Sequence, residues 1–275
     1  MDSFYPDISK LSFPNPKRAL RAKKNNKKKI VIQGSAEEMK IGILEVGQNN
    51  AKMDQRHPHY AEMFISMFAS IGAPLSCTAI AVKDGIFPAS VSAFDGYLIT
   101  GSAFGVYDDV PWIDQLMSFI REAHAQKIPL MGICFGHQLL AHALGGRAEK
   151  SEKGWGVGER KVDIKAHAPW MGSDKSNVTL IYFHQDQVTE LPPGATCIAG
   201  DAFCPNAIFA IDDTVFSVQG HPEFSADYSR DLLTILTPKV GEERTKTALA
   251  TLNNTTDDII VADWIQTFFR QPRTA

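Results

Sequence analysis

The fold is constrained most strongly by residues 128–146, where a short apolar run meets a sharp turn and then a helical pattern. Residues 128–133 are almost all apolar and suit a buried strand. The turn at residues 132–136 reads Gly-Ile-Cys-Phe-Gly, and the apolar helical pattern after it stops at Gly145-Gly146. A strand, a sharp turn and a helix in this order display a nucleophile at the top of a parallel sheet. The glycines on either side of Cys134 leave room for the backbone to reverse tightly.

The cysteine at this turn has two interpretations. Its sulfur would lie at a helix N-terminus, where the helix dipole favours a negative charge and hence a nucleophile; alternatively, it is a buried and unreactive core cysteine. Residues 219–224 (Gln-Gly-His-Pro-Glu-Phe), which follow an apolar strand at 215–218, favour the nucleophile. Side chains two apart in an extended chain point the same way, so His221 and Glu223 can face one site. A base with a carboxylate to orient it is what a cysteine nucleophile needs.

Alternating strand and helix patterns predict an α/β fold with an open, mostly parallel sheet that is flanked by helices on both faces. Strands are expected at 39–46, 77–82, 94–100 and 128–133, and helices at 60–71, at 111–125 and after Cys134. Ligand sites in such sheets lie beyond the carboxyl ends of the strands. Because Gly101-Ser102, Cys134 and His221 each follow a strand end, these residues can meet at one edge of the sheet.

Beyond Gly146 the pattern changes to short strands separated by turn residues, which predicts a small antiparallel section leading back to His221. These strands are expected at 146–150, 156–164, 178–183, 197–200, 207–211 and 214–218, and two helices follow at 227–236 and 257–269. The chain thus divides into an N-terminal extension (residues 1–38), an α/β domain (39–240) and a C-terminal helical extension packed on that domain (241–275).

Charge is unevenly distributed between these parts. Residues 1–38 carry nine Lys and Arg against four Asp and Glu, a net charge of +5, whereas the rest carries 19 against 27, a net charge of −8. The acidic body argues against broad nucleic-acid binding. The basic extension is interpreted as a disordered tail; the alternatives are an arm that binds nucleic acid or another acidic surface, and a translation start at Met39.

Composition limits where such a chain can work. With 275 residues and 44% hydrophobic content, the chain is long enough for one sizeable core. No apolar stretch approaches the roughly 18 residues that cross a bilayer, and the N-terminus lacks an apolar signal segment, so no membrane role is expected. The four cysteines show no Cys-x-x-Cys spacing, which argues against a disulfide framework or a zinc site and favours a cytoplasmic location. No metal or other cofactor is predicted.

Four stretches together resemble the class I, or triad, glutamine amidotransferase family. They are residues 132–138 (Gly-Ile-Cys-Phe-Gly-His-Gln), 183–188 (Phe-His-Gln-Asp-Gln-Val), 219–224 and Gly101-Ser102. They occur in the family's order and cover roughly residues 39–240. Within the family, the chain looks nearest to stand-alone GMP-synthase-like members and to plant gamma-glutamyl peptidases. The resemblance implies the flavodoxin-like fold of class I glutaminases.

The resemblance also implies a Cys-His-Glu triad. Cys134 would attack the side-chain amide of glutamine, and His221 would take the thiol proton and then protonate the departing ammonia. Glu223 would hold the tautomer of the imidazole and stabilise its charge. Water would then release glutamate from the thioester.

Two further groups of residues follow from the resemblance. The backbone N–H groups of Phe135 and of the turn at Gly101 and Ser102 would receive the oxyanion. Gln138 would bind substrate from one helical turn beyond the nucleophile, with a solvated helix side chain as the alternative; His184 would contact substrate or serve only as a hydrogen-bonded structural residue. The residues expected to bind substrate are Gln138, His184, Gln185 and Asp186.

Three functions remain open. The first is a glutamine amidotransferase that releases ammonia and glutamate; a separate synthetase subunit would then be the ammonia acceptor, because this sequence shows no glycine-rich phosphate loop for a nucleotide-dependent second reaction. The second is a gamma-glutamyl peptidase that acts on glutathione-like conjugates with the same triad. The third is a catalytically silent binding module, against which the complete triad argues. The loop at residues 103–109 departs from the plant peptidase pattern and leaves the size of the small-molecule substrate open.

Overall fold

A nine-stranded mixed sheet organises the fold. The computed structural model describes residues 38–172, 174–253 and 255–272, so the predicted N-terminal extension lies outside the described residues except for Glu38. The strands are β1 (Met39–Leu44), β2 (Leu75–Ile80), β3 (Gly96–Ile99), β4 (Leu130–Ile133), β5 (Arg147–Lys150), β6 (Gly156–Ile164), β7 (Asn177–His184), β8 (Asp186–Glu190), β9 (Thr196–Gly200), β10 (Ile208–Ile211) and β11 (Val215–Val218). The helices are α1 (Ala51–Asp54), α2 (Tyr60–Ser70), α3 (Pro111–Ala125), α4 (Phe135–Ala143), α5 (Ala226–Val240), α6 (Glu242–Thr251) and α7 (Asp258–Arg270).

The order of strands across the sheet is β2-β1-β3-β4-β11-β10-β9-β6-β7. In this spatial order, the neighbouring strands β2, β1, β3, β4 and β11 pair in parallel. The remaining neighbours, from β11 across β10, β9 and β6 to β7, pair antiparallel. Only β10 and β6 therefore run against the common direction, and β5 and β8 form a separate antiparallel pair. The predicted α/β class, with a mostly parallel sheet and a small antiparallel section, is confirmed.

Several elements differ from the sequence prediction. The segment Asp186–Glu190 is the strand β8 rather than part of a turn, because Gln187 and Val188 turn inward while β5 supplies its hydrogen-bonding partner. Helix α6 was not predicted, since its only buried residues are Thr245 and Ala248 and its apolar periodicity is correspondingly weak. Helix α5 also continues to Val240 instead of ending near 236, with Pro238 accommodated in its last turn.

The core lies on both faces of the sheet, and the C-terminal helix α7 is part of it. Trp170 packs on Phe216 of β11 with ring centroids 4.0 Å apart, and Phe268 of α7 closes the cluster at 6.0 Å from Trp170. Helices α3 and α4 cover the opposite face with a second apolar cluster. All four residues of β4 and of β11 are buried, which fixes the ends of these two neighbouring strands side by side. None of the helices in the described ranges is long and apolar enough to cross a lipid bilayer.

Candidate active site

Cys134 occupies the turn between β4 and α4 in a strained backbone conformation, with φ of 52° and ψ of −100°, which L-residues rarely adopt. Two glycines make the turn possible: a Cβ at Gly132 would collide with the backbone of Gly136, and a Cβ at Gly136 would collide with the carbonyl of Ile99. The Cys134 N–H donates to the Val218 carbonyl at 2.9 Å, so the end of β11 anchors the turn. The Cys134 side chain is 6% exposed and lines a cavity.

His221 follows the end of β11, the strand beside β4, and its backbone N–H donates to the Ile181 carbonyl at 2.7 Å. Its Nδ1 lies 2.8 Å from Glu223 Oε1, so Nδ1 donates to the carboxylate, and the Cys134 sulfur lies close enough to the imidazole to act on its charge. Phe224 stacks flat on the imidazole, with ring centroids 3.9 Å apart, and fixes its plane. The structure therefore brings the three residues predicted to form a triad into one connected group.

The charge state of His221 follows from its two neighbours. Burial alone would lower the pKa of His221, but the Glu223 carboxylate and the Cys134 sulfur outweigh burial and raise that pKa to about 10. The side chains of His221 and Glu223 are only 4% and 1% exposed, so little water screens this pair. At neutral pH the imidazole is thus a buried cation, held between an anionic carboxylate and the sulfur.

The predicted oxyanion residues adjoin Cys134, Phe135 along the chain and Gly101 with Ser102 in the cavity wall. A Cβ at Gly101 would lie 3.1 Å from His221 Cε1 and 3.7 Å from Cys134 Cβ, so the Gly101 backbone lies directly against both side chains. The Ser102 hydroxyl donates to a backbone carbonyl in the loop after β1 at 2.8 Å, so the hydroxyl itself is already engaged. Phe135 is the first residue of α4, where backbone N–H groups have no acceptor within the helix. The role of Gly101, Ser102 and Phe135 in holding an oxyanion stays a prediction.

All four residues predicted to bind substrate line the cavity of Cys134: Gln138, His184, Gln185 and Asp186. Gln138 is 3% exposed, and its Nε2 donates to the Asp186 carbonyl at 2.8 Å and to Gln219 Oε1 at 3.1 Å, so the alternative of a solvated side chain is wrong. His184 Nδ1 lies 2.8 Å from the same Asp186 carbonyl. Burial lowers the pKa of His184 to about 4, so the neutral ring donates through Nδ1. The side chains of Gln138 and His184 thus both donate to the Asp186 carbonyl. Direct contact of the four residues with substrate stays a prediction.

Sequence reasoning misses two polar residues of this wall, Tyr107 and Lys150. The Tyr107 hydroxyl is hydrogen-bonded to the Asp186 side chain, and Lys150 lies close enough to act on that carboxylate. Burial raises the pKa of Asp186, and both neighbours oppose this rise. No motif marks either residue; the one available signal is that Tyr107 belongs to the loop at 103–109, which departs from the plant peptidase pattern.

The cavity has a volume of about 630 Å³, which is in the range of pockets that enclose drug-sized ligands. Cys134 and His221 line one part of it, and one face of α5 lines another. Among the described residues, no group of three or more His, Cys, Asp or Glu side chains is arranged to hold a metal ion. The arrangement is suited to nucleophilic attack by sulfur inside a partly enclosed pocket.

Comparison with known proteins agrees with this geometry. Residues 59–233 match the model of the family described as glutamine amidotransferase class-I. Gamma-glutamyl peptidase 3 of Arabidopsis thaliana is 32% identical over 176 residues, which are 61% of this chain and 70% of that protein. The glutamine-hydrolysing GMP synthase of Porphyromonas gingivalis is 35% identical over 138 residues, 50% of this chain and 26% of that protein. The crystal structure of a glutamine amidotransferase from Thermotoga maritima superposes with a TM-score of 0.70 at 16% identity, covering 86% of this chain and 100% of that one.

Proposed function

The chain belongs to the class-I glutamine amidotransferase family, whose model matches residues 59–233, and from this membership we propose that it hydrolyses γ-glutamyl amides through a thioester on Cys134. The observation that carries the proposal is the grouping of the Cys134 sulfur, the His221 imidazole and the Glu223 carboxylate, with Cys134 and His221 in the cavity wall. A nucleophile, a base and a group that orients the base are the parts needed for amide cleavage. Glutamine is the first substrate, and its products are glutamate and ammonia.

In the first half-reaction, the Cys134 sulfur attacks the side-chain carbonyl carbon of the glutamyl group, so that a C–S bond forms and the C–N bond breaks. His221 enters this step as an imidazolium because its pKa is about 10. It donates its Nε2 proton to the departing nitrogen, as a general acid. Glu223 accepts from Nδ1 at 2.8 Å and so keeps Nε2 directed at the sulfur.

In the second half-reaction, His221 acts as a base. The sulfur of the thioester carries no negative charge, so one of the two groups that raise the pKa of His221 is lost. The imidazole, neutral after giving up its proton, therefore takes a proton from the water that attacks the thioester. Glutamate leaves with the oxygen of that water. As the C–S bond breaks, the free sulfur is restored beside an imidazole that holds the proton taken from the water.

Both half-reactions pass through a tetrahedral intermediate with a negative oxygen. We assign its stabilisation to the backbone N–H groups of Gly101, Ser102 and Phe135, since the Ser102 hydroxyl is already donated elsewhere. Donors of this kind each lower the barrier by about 3–4 kcal/mol when they are fixed in place before the reaction. The strained turn at Cys134 and the first turn of α4 provide that fixed geometry.

The amino-acid end of the substrate is assigned to the wall around Asp186. The Asp186 carboxylate suits the α-ammonium group of a glutamyl substrate, and Lys150 suits its α-carboxylate. Gln138 and His184 act on this wall from behind, because both donate to the Asp186 carbonyl. The pairing of opposite charges selects a free amino acid end and discriminates against simple alkyl amides.

A second candidate, a gamma-glutamyl peptidase with the same triad, is favoured by the size of the cavity. A volume of about 630 Å³ accommodates more than one amino acid, since it matches pockets for drug-sized ligands. The similarity to a gamma-glutamyl peptidase of Arabidopsis thaliana supports the same activity. The chemistry is unchanged; only the leaving group is an amine larger than ammonia.

The partner depends on the physiological substrate, and the compartment is proposed from the state of the cysteines. If glutamine is the physiological substrate, a separate synthetase subunit is the expected acceptor of ammonia, as the similarity to part of a GMP synthase suggests. The four cysteines form no disulfide with one another, and a reducing compartment such as the cytoplasm keeps such thiols unpaired, so we propose a cytoplasmic location.

The test measures glutamate release from glutamine and from γ-glutamyl-leucine by purified wild-type and Cys134→Ala proteins. We expect Cys134→Ala to lose at least about 10³-fold in kcat, because no other group replaces the nucleophile. Cys77→Ala, which removes a half-buried thiol on the distant strand β2, serves as the control and should retain activity. If Cys134→Ala were as active as the wild type, Cys134 would not be the nucleophile. Faster glutamate release from glutamine favours the amidotransferase, and faster release from γ-glutamyl-leucine favours the peptidase.

A further inference from the structure

The cavity extends beyond the triad along one face of helix α5. Tyr228, Leu232, Leu236 and Lys239 all line it, and their spacing of four, four and three residues places them on a single face of the helix. From Tyr228 to Lys239 the helix rises by about 16 Å at 1.5 Å per residue. A γ-glutamyl group alone does not need this length, because one residue of extended chain spans only about 3.5 Å.

The inner end of this face touches the catalytic group. Tyr228 packs against Phe224 with ring centroids 4.4 Å apart, and Phe224 stacks on His221 at 3.9 Å. The Tyr228 hydroxyl donates to Asn49 Oδ1 at 2.9 Å, so the loop after β1 forms the facing wall. His221 is the proton donor to the departing amine in the proposed reaction, and the α5 face therefore begins where the leaving group is released.

The chemistry of the face changes along its length. Leu232 and Leu236 are half-buried and present apolar surface, and Met53 of α1 adds to the same lining. Lys239 is exposed at the outer end, and within the described residues it has no carboxylate at ion-pair distance. Lys239 belongs to α5, whereas Lys150 belongs to β5, so the α5 face contributes a cation of its own to the cavity.

We propose that this α5 face is a leaving-group subsite, which takes the amine part of a γ-glutamyl compound that is apolar over about two residues and ends in a carboxylate paired with Lys239. The inference rests on the proposed function, since it concerns the group that the Cys134 sulfur displaces. The amine departs with the proton from His221 as the C–N bond breaks, and water completes the hydrolysis at the thioester. Leu236 and Lys239 are then the residues that determine which leaving groups are preferred.

The experiment compares kcat/KM for three substrates: glutamine, γ-glutamyl-leucyl-leucine and the C-terminal amide of that peptide. In the wild type, the free acid should be preferred over its amide. Lys239→Gln should reduce this preference about threefold, the effect of one exposed ion pair. Leu236→Asn should lower the ratio of peptide to glutamine about tenfold, because a half-buried leucine loses its apolar contact. Lys246→Gln removes an exposed charge from α6 and should alter neither ratio.

The possible outcomes separate the two proposals. Two results would overturn the subsite and leave the proposed function intact, provided that the wild type hydrolyses glutamine. In the first, the wild type does not prefer the peptide acid over its C-terminal amide. In the second, the acid-to-amide and peptide-to-glutamine ratios of kcat/KM are unchanged in Lys239→Gln and Leu236→Asn. Failure of the wild type to hydrolyse any of the three substrates would overturn both. Thermal unfolding checks that each variant is folded; if Leu236→Asn is not, Leu232→Ala tests the same apolar surface, and Lys239→Gln changes only an exposed side chain.

Discussion

Replacing Glu223 by Gln tests how the buried carboxylate controls the catalytic imidazole. Glu223 Oε1 accepts from His221 Nδ1 at 2.8 Å, and both side chains are almost fully buried. An opposite charge this close raises the pKa of a cation by about one to three units. Glu223→Gln should therefore lower the pKa of His221 from its present value of about 10 by roughly that amount, because only the Cys134 sulfur then stabilises the imidazolium.

The rate should fall more than this pKa shift alone requires. A glutamine amide can donate to Nδ1, which favours the tautomer with its proton on Nε2. This removes the base that must take a proton from the water in the second half-reaction; the corresponding change in a serine protease triad lowers kcat by about 10⁴-fold. We expect kcat/KM for glutamine to drop by about 10³- to 10⁴-fold. We also expect the alkaline limb of the pH–rate profile to move to lower pH, since the proton donor is lost sooner.

The same substitution has a signature in stability. The pKa of His221 is raised from 6.5 to about 10, so its contribution to stability is complete below pH 6.5 and is lost as pH rises toward 10. Urea unfolding of the wild type should therefore give a smaller free energy of unfolding at pH 9.5 than at pH 6.5, and Glu223→Gln should show less of this decrease. Glu243→Gln on the exposed start of α6 is the matched control. If the alkaline limb and the stability profile of Glu223→Gln coincide with those of the wild type, the carboxylate does not set the charge of His221.

Two further predictions concern the substrate wall and the core. Tyr107→Phe removes a hydrogen bond to Asp186, so the pKa of Asp186 should rise further and KM for glutamine should increase about three- to tenfold with a smaller change in kcat; an unchanged KM would show that the Tyr107 hydroxyl does not support binding. Phe268→Ala opens a cavity beside the fully buried Trp170 and should cost about 3–5 kcal/mol of unfolding free energy, measured by urea denaturation. Ile259→Ala, on the same helix but 51% exposed, should cost much less, and equal losses would contradict the assigned packing.

The parts of the structure that could be predicted are those set by local patterns. Helix α3 has the predicted bounds because its apolar residues recur with the helical period and are buried. Strand β6 also has the predicted bounds. The contact of His221 with Glu223 agrees with the expectation that these two side chains face one site, although the segment bends after His221. Helix α6 lacks such a pattern because it buries only two residues, and β8 is a strand only because β5 pairs with it.

The parts of the site that could not be predicted depend on contacts between distant segments. Gln138 occupies a position that suggests a substrate ligand, yet its amide nitrogen is used by a carbonyl 48 residues away in sequence. Tyr107 reaches Asp186 only after the loop that contains it is placed against β8. The α5 face likewise becomes part of the cavity only through packing, since its leucines look like ordinary core residues in the sequence.

The position of β11 beside β4 makes the reactivity of Cys134 depend on most of the chain. The nucleophile follows β4, but its base follows β11, and the two strands are paired although Leu130 and Val215 are far apart in sequence. Contacts between such distant segments form late, after the cost of closing the long intervening loop has been met. A nascent or partly unfolded chain therefore presents a cysteine without its imidazole, and the thiol acquires its base only when folding has joined the two halves of the sheet.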